Sequence, residues 1–263
     1  MKVALLHDYL NQYGGGEKCL DIFMNLFPNA DLFTIYHDQN NYKLLPHRHL
    51  NTSFIQFLPK IKNYKFYFPF FPLAVKSFRF GDYDLVFSSS HSYIKNISKP
   101  KNVLHICYIH TPMRYAWDLR GQYLQDEPFY LRPFIGLFLL WLSYWDRKNT
   151  HYVDFFIANS KNVQQRILKY YGRTSEVIYP FVDCKKYTLS DKKEDFYLVV
   201  SRLIDAKRID LVIQTFASLN KRLIVIGTGR EQKKLMKSAT SNVTFLGYLP
   251  EEEVIYYYKH AKA

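Results

Sequence analysis

The chain has 263 residues with 48% hydrophobic and 18% aromatic content, which is enough for a large core and for two domains, with one large α/β unit as the alternative. Its 10 glycines and 11 prolines exclude a low-complexity or fibrous chain. The formal net charge of +13 favours anionic partners, although a soluble protein with a basic surface would carry the same charge.

The first half of the chain alternates between apolar runs and helical periodicity. Val3–His7 predicts a buried strand, and apolar residues at helical spacing predict a helix that starts just after Gly16. Ser160 is placed to cap a helix over residues 161–170. Further strands are predicted over residues 31–36, 83–87, 103–109 and 154–158. Strands separated by helices predict a parallel α/β sheet with helices on both faces.

The polar segment that follows Pro180 is predicted to connect two domains, because the pattern then restarts. Strands are predicted over residues 196–200, 223–226 and 243–246, and helices over 209–219 and 231–239, and residues 251–260 are predicted to start a further helix. We therefore predict two Rossmann-like domains, at residues 1–180 and 181–263. The second is expected to be incomplete, because it has three strands instead of about six and the chain ends at Ala263 inside a predicted helix.

Two stretches are rich in aromatic residues. The run at residues 134–145 is shorter than the roughly 20 residues that span a bilayer. It is either a buried helix or a membrane-facing helix flanked by Arg132, Arg147 and Lys148. The second stretch, Phe54–Phe80, contains several prolines, which argue against one long helix. We predict that it forms a flexible, partly apolar surface for lipid or a lipid-linked acceptor.

Polar residues after the predicted strands are the candidates for ligand binding, since parallel sheets bind ligands at the carboxyl ends of their strands. Gly14–Gly16 would let a phosphate approach the backbone at a helix N-terminus. The segment lacks the G-x-G-x-x-G spacing, and an ordinary tight turn is the alternative. His110 could hydrogen bond to a sugar hydroxyl, although a lone histidine is more often structural.

The turn after the first strand of the second half carries Arg202 and Lys207. These two cations could clamp a diphosphate, with a solvated basic turn as the alternative. No zinc spacing, protease-like triad or RNA-binding motif is found in the sequence, so neither a metal nor nucleic acid is expected. Three separated cysteines and the lack of a cleavable leader favour a reducing, cytoplasmic location.

Several segments together resemble the retaining glycosyltransferases of family 4, which have two Rossmann-like domains in the GT-B arrangement. These segments are HDYLNQYGGGEK, YIHTPMRYAWD, FIANSKNVQQRI with VIYPFVD, VVSRLIDAKRIDLVI, IGTGRE and VTFLGYLPEEEV. The resemblance covers essentially the whole chain. The segment YIHTPMRYAWD is most similar to the branch with bacterial O-antigen and polysaccharide mannosyltransferases.

The resemblance implies roles for individual residues. His110 would be the catalytic residue that contacts the transferred sugar. Arg114, Tyr115 and Trp117 would lie in the acceptor or sugar region. The donor contacts that it implies are Gly15, Gly16, Arg202 and Lys207 for the diphosphate, Gly227 at the border of the nucleotide, and Tyr248 and Leu249 near its base.

The activity that the resemblance implies is transfer of a hexose with retention of configuration and without a metal. GDP-mannose is the favoured donor, and the acceptor is a glycan or a lipid-linked molecule. Peripheral contact with the anionic inner face of a membrane is also expected. The family's pair of glutamates lies beyond the segment that ends in Glu251–Glu253, so this chain is expected to lack it. An inactive remnant or a nucleotide-binding module without catalysis is therefore the alternative.

Overall fold

A computed structural model describes residues 1–42, 49–59, 64–188 and 190–263, with side chains for all of these except 64 and 65. The chain forms two compact units, Met1–Phe181 and Val182–Ala263. The domain boundary predicted from the sequence lies one residue before this division. Residues 60–63 of the predicted aromatic surface stretch lie outside the described residues.

The first unit is built on a parallel sheet of seven strands. The strands are β1 (Val3–Leu10), β2 (Asp31–His37), β3 (Leu50–Thr52), β4 (Leu85–Ser90), β5 (Leu104–Ile109), β6 (Phe155–Ala158) and β7 (Glu176–Val177). Their order in the sheet is β3-β2-β1-β4-β5-β6-β7, so β1 lies between β2 and β4. The point at which the order reverses, beside β1, is where open α/β sheets bind their ligands.

Helices cover both faces of this sheet, as the sequence predicts. They are α1 (Gly15–Leu26), α2 (Phe71–Ser77), α3 (Arg120–Gln125), α4 (Arg132–Asn149) and α5 (Lys161–Tyr171). Helix α1 packs on one face, and α2, α4 and α5 pack on the other. The hydroxyl of Ser160 accepts a hydrogen bond from the Val163 N–H at 3.3 Å, so the predicted cap of α5 is formed. Helices α2 and α3 and the short edge strand β3 were not predicted.

The aromatic stretch at Phe54–Phe80 does not form one long helix. A 3₁₀ helix at Tyr64–Phe70, which contains Pro69, leads directly into α2. The described part of this stretch has both buried and exposed side chains. Phe71 is buried in the core, whereas Phe57 is 82% exposed and Leu73 is 63% exposed. A partly apolar surface is therefore present there.

A buried carboxylate in α4 joins three parts of the first unit. Asp146 accepts hydrogen bonds at 2.5 Å from Lys95, 2.8 Å from Asn96, 2.9 Å from the Trp117 indole and 2.8 Å from the Tyr171 hydroxyl. Lys95 is 1% exposed and Asp146 is fully buried. Because four donors converge on one carboxylate, this network fixes α4 against α5 and against the loop after β4.

His105 in β5 makes the stability of the first unit depend on pH. The ring is fully buried, its Nε2 lies 2.8 Å from the Ser88 hydroxyl, and its Nδ1 lies 3.0 Å from the Tyr152 carbonyl. Nδ1 must therefore carry the proton that bonds the carbonyl, which leaves Nε2 to accept from Ser88. Burial lowers the pKa of His105 from 6.5 to about 4.

We expect this shift to lower the free energy of unfolding as the pH falls from 6.5 to about 4, because only the unfolded chain binds the proton in that window. The contribution of His105 is about 3 kcal/mol, and it is complete above pH 6.5. Urea unfolding of the wild type and of His105→Gln at pH 7 and pH 4.5 measures it. The exposed His151→Gln is the control, and an equal pH slope in all three proteins would contradict the prediction.

The second unit is built on a three-stranded parallel sheet. Its elements are β8 (Tyr197–Val200), α6 (Ile209–Leu219), β9 (Leu223–Ile226), α7 (Gln232–Ser238), β10 (Val243–Gly247) and α8 (Glu251–His260). The strand order is β10-β9-β8. Helices α6 and α7 pack on one face and α8 on the other. The predicted α/β class with two Rossmann-like units is thus confirmed.

The prediction that the chain ends inside a helix is wrong. Helix α8 ends at His260, and Ala261 is already extended. The last residues run beside β8, where the Lys262 N–H donates to the Phe196 carbonyl at 2.9 Å and the Leu198 N–H donates to the Ala263 carbonyl at 2.9 Å. The edge of β8 offers backbone groups that compete with a further helical turn.

Candidate functional site

Three polar side chains meet at the carboxyl ends of β1, β4 and β5. The Ser89 hydroxyl lies 3.1 Å from Nδ1 of His7 and 2.9 Å from Nε2 of His110. The register of the sheet brings them together, since His7 pairs with Ser89 and His110 directly follows β5. They lie beside the point where the strand order reverses, so the sheet places this cluster where ligands bind in such folds.

Glu17 of α1 is the acidic neighbour of this cluster. Its Oε1 lies 3.6 Å from Nε2 of His7, which is longer than a hydrogen bond. Burial opposes ionisation of Glu17, but His7 and backbone N–H groups outweigh burial, so the pKa of Glu17 lies below its ordinary value. The ionised carboxylate favours a proton on Nε2 of His7, so Nδ1 of His7 accepts from Ser89. The Ser89 oxygen then accepts from Nε2–H of His110, and Nδ1 of His110 carries a lone pair.

His110 is a neutral imidazole at physiological pH. Burial, reinforced by the nearby His7 and His91, lowers its pKa from 6.5 to about 3. A ring that does not ionise cannot act as a cationic acid. It can accept a hydrogen bond from a hydroxyl through Nδ1, which suits recognition of a sugar.

The loop after β4 is held by a second buried carboxylate, Asp8. Its Oδ2 accepts from the N–H groups of His91 at 2.6 Å and Ser92 at 2.9 Å, and Oδ1 accepts from Ile94 at 2.7 Å. Burial opposes ionisation of Asp8, but His91 and these donors outweigh it, so its pKa is lowered. Asp8 therefore fixes the backbone that follows Ser89.

The predicted glycine turn opens α1 directly beside the histidine cluster. The Gly14 N–H donates to Oε2 of Glu17 at 2.9 Å, and the amides of Gly15 and Gly16 lie in the first helical turn, where the helix itself supplies no acceptor. A Cβ on Gly16 would lie 3.7 Å from Cε1 of His7 and 3.9 Å from Nε2 of His110. The structure thus brings Gly16 and His110 together, with the positive end of the helix dipole beside them.

The three residues predicted for the acceptor or sugar region occupy different surroundings. The indole N–H of Trp117 donates to Asp146 at 2.9 Å, and its ring stacks on Tyr170. The hydroxyl of Tyr115 is hydrogen bonded to Ser92, and its ring stacks on the core aromatic Phe68. Arg114 is exposed. Trp117 and Tyr115 thus have clear packing roles, whereas Arg114 can reach a ligand.

Arg114 lines a cavity of about 500 Å³ in the first unit. Arg166 crosses this region, with its guanidinium donating to the Thr111 hydroxyl at 2.7 Å and paired with Asp118. Lys169 adds a third cation. The walls therefore carry three cations and one carboxylate, which favours a ligand with an acidic group. The complete lining is Arg114, Asp118, Leu119, Asn162, Gln165, Arg166, Lys169 and Tyr170.

In the second unit, Arg202 and Lys207 lie on the same loop between β8 and α6, and both are exposed. Two glycines of the loop after β9 hold this loop by close backbone contact. A Cβ on Gly227 would lie 2.0 Å from the Ser201 carbonyl oxygen, and one on Gly229 would lie 2.1 Å from that of Leu203. Gly227 also has a φ of +130°. Both positions therefore require glycine, and Gly229 was not among the predicted site residues.

We expect Gly227→Ala to destabilise the second unit by at least about 3 kcal/mol, because the new Cβ collides with backbone and the φ value is strained for alanine. Hydrogen exchange of β8 and β9 measures the local loss. Gly121→Ala in α3 is the control, since nothing lies within 4 Å of its Cβ and alanine favours the helix. Unchanged protection in β8 would show that the loop adapts.

The two residues predicted to lie near the nucleotide base of the donor differ in exposure. Tyr248 directly follows β10 and is 77% exposed, so its ring is available for stacking. Leu249 is partly buried against the cluster formed by Phe196, Ile224 and Ile226. The structure therefore gives Leu249 a packing role and leaves Tyr248 accessible.

Sequence comparison decides the family. The profile of Glycosyltransferase Family 4 matches residues 30–186, which is more than half of the chain. The chain belongs to Glycosyltransferase Family 4. The profile of glycosyl transferases group 1 matches residues 183–263. A search of the curated proteins gave no significant match.

Solved structures show the same fold. Anabaena Alr3699/HepE in complex with UDP aligns over 99% of this chain and 72% of its own, at 17% identity and a TM-score of 0.64. AviGT4, a glycosyltransferase of avilamycin A biosynthesis, aligns over 99% of this chain and 68% of its own, at 15% identity and a TM-score of 0.50. These similarities establish the GT-B fold for this glycosyltransferase-family chain.

Three residues at this site were not predicted from the sequence, namely His7, Ser89 and the neighbouring Glu17. His7 lies within a strand and Glu17 within a helix, so neither stands out in a linear pattern. Their common signal is position, since all three lie within a few residues of predicted strand ends or of the glycine turn. In the described part of the chain, no group of three or more His, Cys, Asp or Glu side chains is arranged to hold a metal ion.

Proposed function

We propose that this protein transfers a hexose from a nucleoside diphosphate sugar to a glycan or lipid-linked acceptor, with retention of configuration. The observation that carries the proposal is the meeting of the α1 N-terminus with the His7–Ser89–His110 cluster at the switch point of the sheet. An anion-binding helix end beside a neutral hydrogen-bonding imidazole matches a donor that has a charged phosphate next to a neutral sugar.

The donor diphosphate is the proposed ligand of the glycine turn. The amides of Gly15 and Gly16 would donate to its oxygens, and the helix dipole favours its negative charge. In the second unit, Arg202 and Lys207 would neutralise the charge that develops on the leaving diphosphate, Arg202 bidentately and Lys207 as a point charge. Since protein cations fill this role in the proposal, it invokes no metal.

The sugar is the proposed ligand of His110. Its Nδ1 would accept from a sugar hydroxyl, and Ser89 and His7 would hold the ring in the required tautomer. Retention implies that the acceptor hydroxyl attacks from the face that the diphosphate leaves, so the breaking C–O bond delivers its electron pair to the diphosphate. The departing phosphate would take the proton of the acceptor hydroxyl.

The donor base and sugar are open to direct test. GDP-mannose is the favoured donor, because the segment around His110 is most similar to that of polysaccharide mannosyltransferases. The structure of HepE contains UDP, which supports a nucleoside diphosphate as the leaving group and makes UDP-sugars the competing donors. For the acceptor, the cationic cavity beside Arg114 would suit an acidic group such as a lipid-linked phosphate.

The experiment that tests the proposal compares the 263-residue wild type with Gly16→Ala. Titration calorimetry measures GDP and UDP binding, and release of GDP from GDP-mannose or of UDP from UDP-sugars measures turnover. The alanine Cβ would make only ordinary contacts inside the protein, at 3.7 Å or more. It would instead occupy the space beside the amides, so we expect at least about tenfold weaker nucleotide binding with no loss of stability.

Gly121→Ala serves as the matched glycine control, because it also lies in a helix and its new Cβ meets nothing within 4 Å. Equal nucleotide affinity in wild type and Gly16→Ala would refute the assignment of the glycine turn. Nucleotide binding by the wild type without any turnover would instead support the alternative of a binding module without catalysis.

A further inference from the structure

Helix α4 is apolar on both of its faces. The inward face buries Leu139 and Leu142 in the core. On the outward face, Phe134 is 72% exposed, Leu137 is 67% exposed and Tyr144 is 64% exposed. The spacing of these residues places them on one side of the helix, so the exposure is a continuous stripe and not a scatter of single side chains. The prediction that residues 134–145 form a buried helix is therefore wrong for this side of α4.

The turn before α4 extends the stripe, since Phe129 is 77% exposed and Tyr130 is 61% exposed. We call the whole surface the aromatic face. Large continuous apolar surfaces are rare on monomeric proteins, and they mark contact with a partner or a membrane. The aromatic face consists of Phe129, Tyr130, Leu131, Phe134, Leu137, Leu140, Trp141 and Tyr144.

Positive charge borders the aromatic face at the end of α4. Arg147 and Lys148 are exposed, and the Lys148 amine lies 6.0 Å from the centre of the Tyr144 ring. The only acidic residue of α4 is Asp146, which is fully buried. Asp126 and Glu127 precede the face. With a net charge of +13 for the chain, the electrostatic balance favours an anionic partner.

We propose that the aromatic face docks on an anionic lipid bilayer, with α4 lying in the interfacial plane. Trp and Tyr side chains prefer the headgroup region, Leu and Phe enter the acyl boundary, and Arg and Lys contact anionic headgroups. Of the helices in the described residues, none has both the length and the apolar character needed to cross a membrane, so α4 lies on the surface. The proposal is independent of sugar transfer.

Vesicle sedimentation tests the proposal with full-length protein. The variant Phe134→Ser/Leu137→Ser/Leu140→Ser removes one Phe and two Leu from the aromatic face. The matched control, Leu26→Ser/Phe155→Ser/Leu168→Ser, removes the same residue types from exposed positions elsewhere in the first unit. With vesicles of phosphatidylcholine and 30% phosphatidylglycerol, roughly the anionic fraction of a charged leaflet, we expect the face variant to bind at least about tenfold more weakly and the control to bind as wild type does.

Tryptophan fluorescence gives a residue-level readout. Trp141 is 47% exposed on the face, whereas Trp117 is stacked on Tyr170 inside the unit and Trp145 is partly buried against the core. We expect a blue shift and quenching by bromolipids in the anionic vesicles, both lost in Trp141→Phe and weakened by Arg147→Gln/Lys148→Gln.

Three results would overturn the proposal. The first is no binding of the wild type to anionic vesicles. The second is equal loss of binding in the face variant and the matched control, which would mean that no particular surface docks. The third is a concentration-dependent dimer in light scattering that the face variant alone abolishes, without vesicle binding by the wild type, because the occupant would then be a second copy of the chain. Retained turnover in the face variant would leave the proposed transferase function intact.

Discussion

Replacing His110 by alanine is expected to lower the rate of sugar transfer about a hundredfold, which is the typical cost of losing one hydrogen-bonding group at a reaction centre. The ring is held by Ser89 at 2.9 Å and lies beside the glycine turn, so its loss removes the proposed sugar contact without disturbing the sheet. Initial rates at saturating donor measure the effect on kcat. Because burial lowers the pKa of His110 to about 3, we expect no step in the pH–rate profile near pH 6.5 from this residue.

His105→Gln is the control for this variant, since His105 is also a buried histidine of the same sheet but lies at the other end of β5. It should alter the pH dependence of stability and leave turnover unchanged. A further variant, Glu17→Gln, tests the proton positions proposed for His7, Ser89 and His110. It removes the negative charge that favours a proton on Nε2 of His7. A His110→Ala protein with wild-type kcat would contradict the proposed role.

Replacing Lys95 by methionine is expected to lower the free energy of unfolding by about 3–5 kcal/mol. The methionine fills the space of the side chain but leaves Asp146 as a buried carboxylate without its cation, which is the costly way to break a buried ion pair. The three remaining neutral donors still stabilise the Asp146 carboxylate, but they do not neutralise its charge. Urea unfolding monitored by circular dichroism measures the change.

Lys76→Met is the matched control, because the amine of Lys76 donates to a neutral amide oxygen of Asn149 at 2.5 Å. Loss of that hydrogen bond, and of the contact of the amine with the Tyr152 ring at 4.2 Å, should cost about 1.5–3 kcal/mol. In the double variant Lys95→Met/Asp146→Asn the unpaired charge is gone, so we expect part of the stability to return. A loss of less than about 1 kcal/mol in Lys95→Met alone would show that Asp146 is not held as an ion in the folded state.

The local sequence pattern predicted most helices and strands, because the spacing of apolar residues in each segment fits only one of the two structures. The bounds of α6 and β9 agree with the predicted ranges, and Ser160 caps α5 as expected. The omissions have a common reason. Strand β3 has three residues, α3 has six and α2 has seven, so none is long enough to show a period of its own. Tertiary contacts form them, since β3 pairs with β2, α2 packs against β2 and α3 packs against α4.

The sequence by itself determined the α/β class, the division into two Rossmann-like units and the glycine turn that opens α1, since each depends on residues that are neighbours along the chain. Only the tertiary structure decided which residues meet. The register of β1 with β4 placed His7 against Ser89, and the packing of α1 placed Glu17 beside them. It also turned one apolar side of α4 to the core and the other outward. The sequence pattern cannot show which residues meet or which side of α4 is buried, because contacts between distant strands and helices follow from the packing of the whole unit.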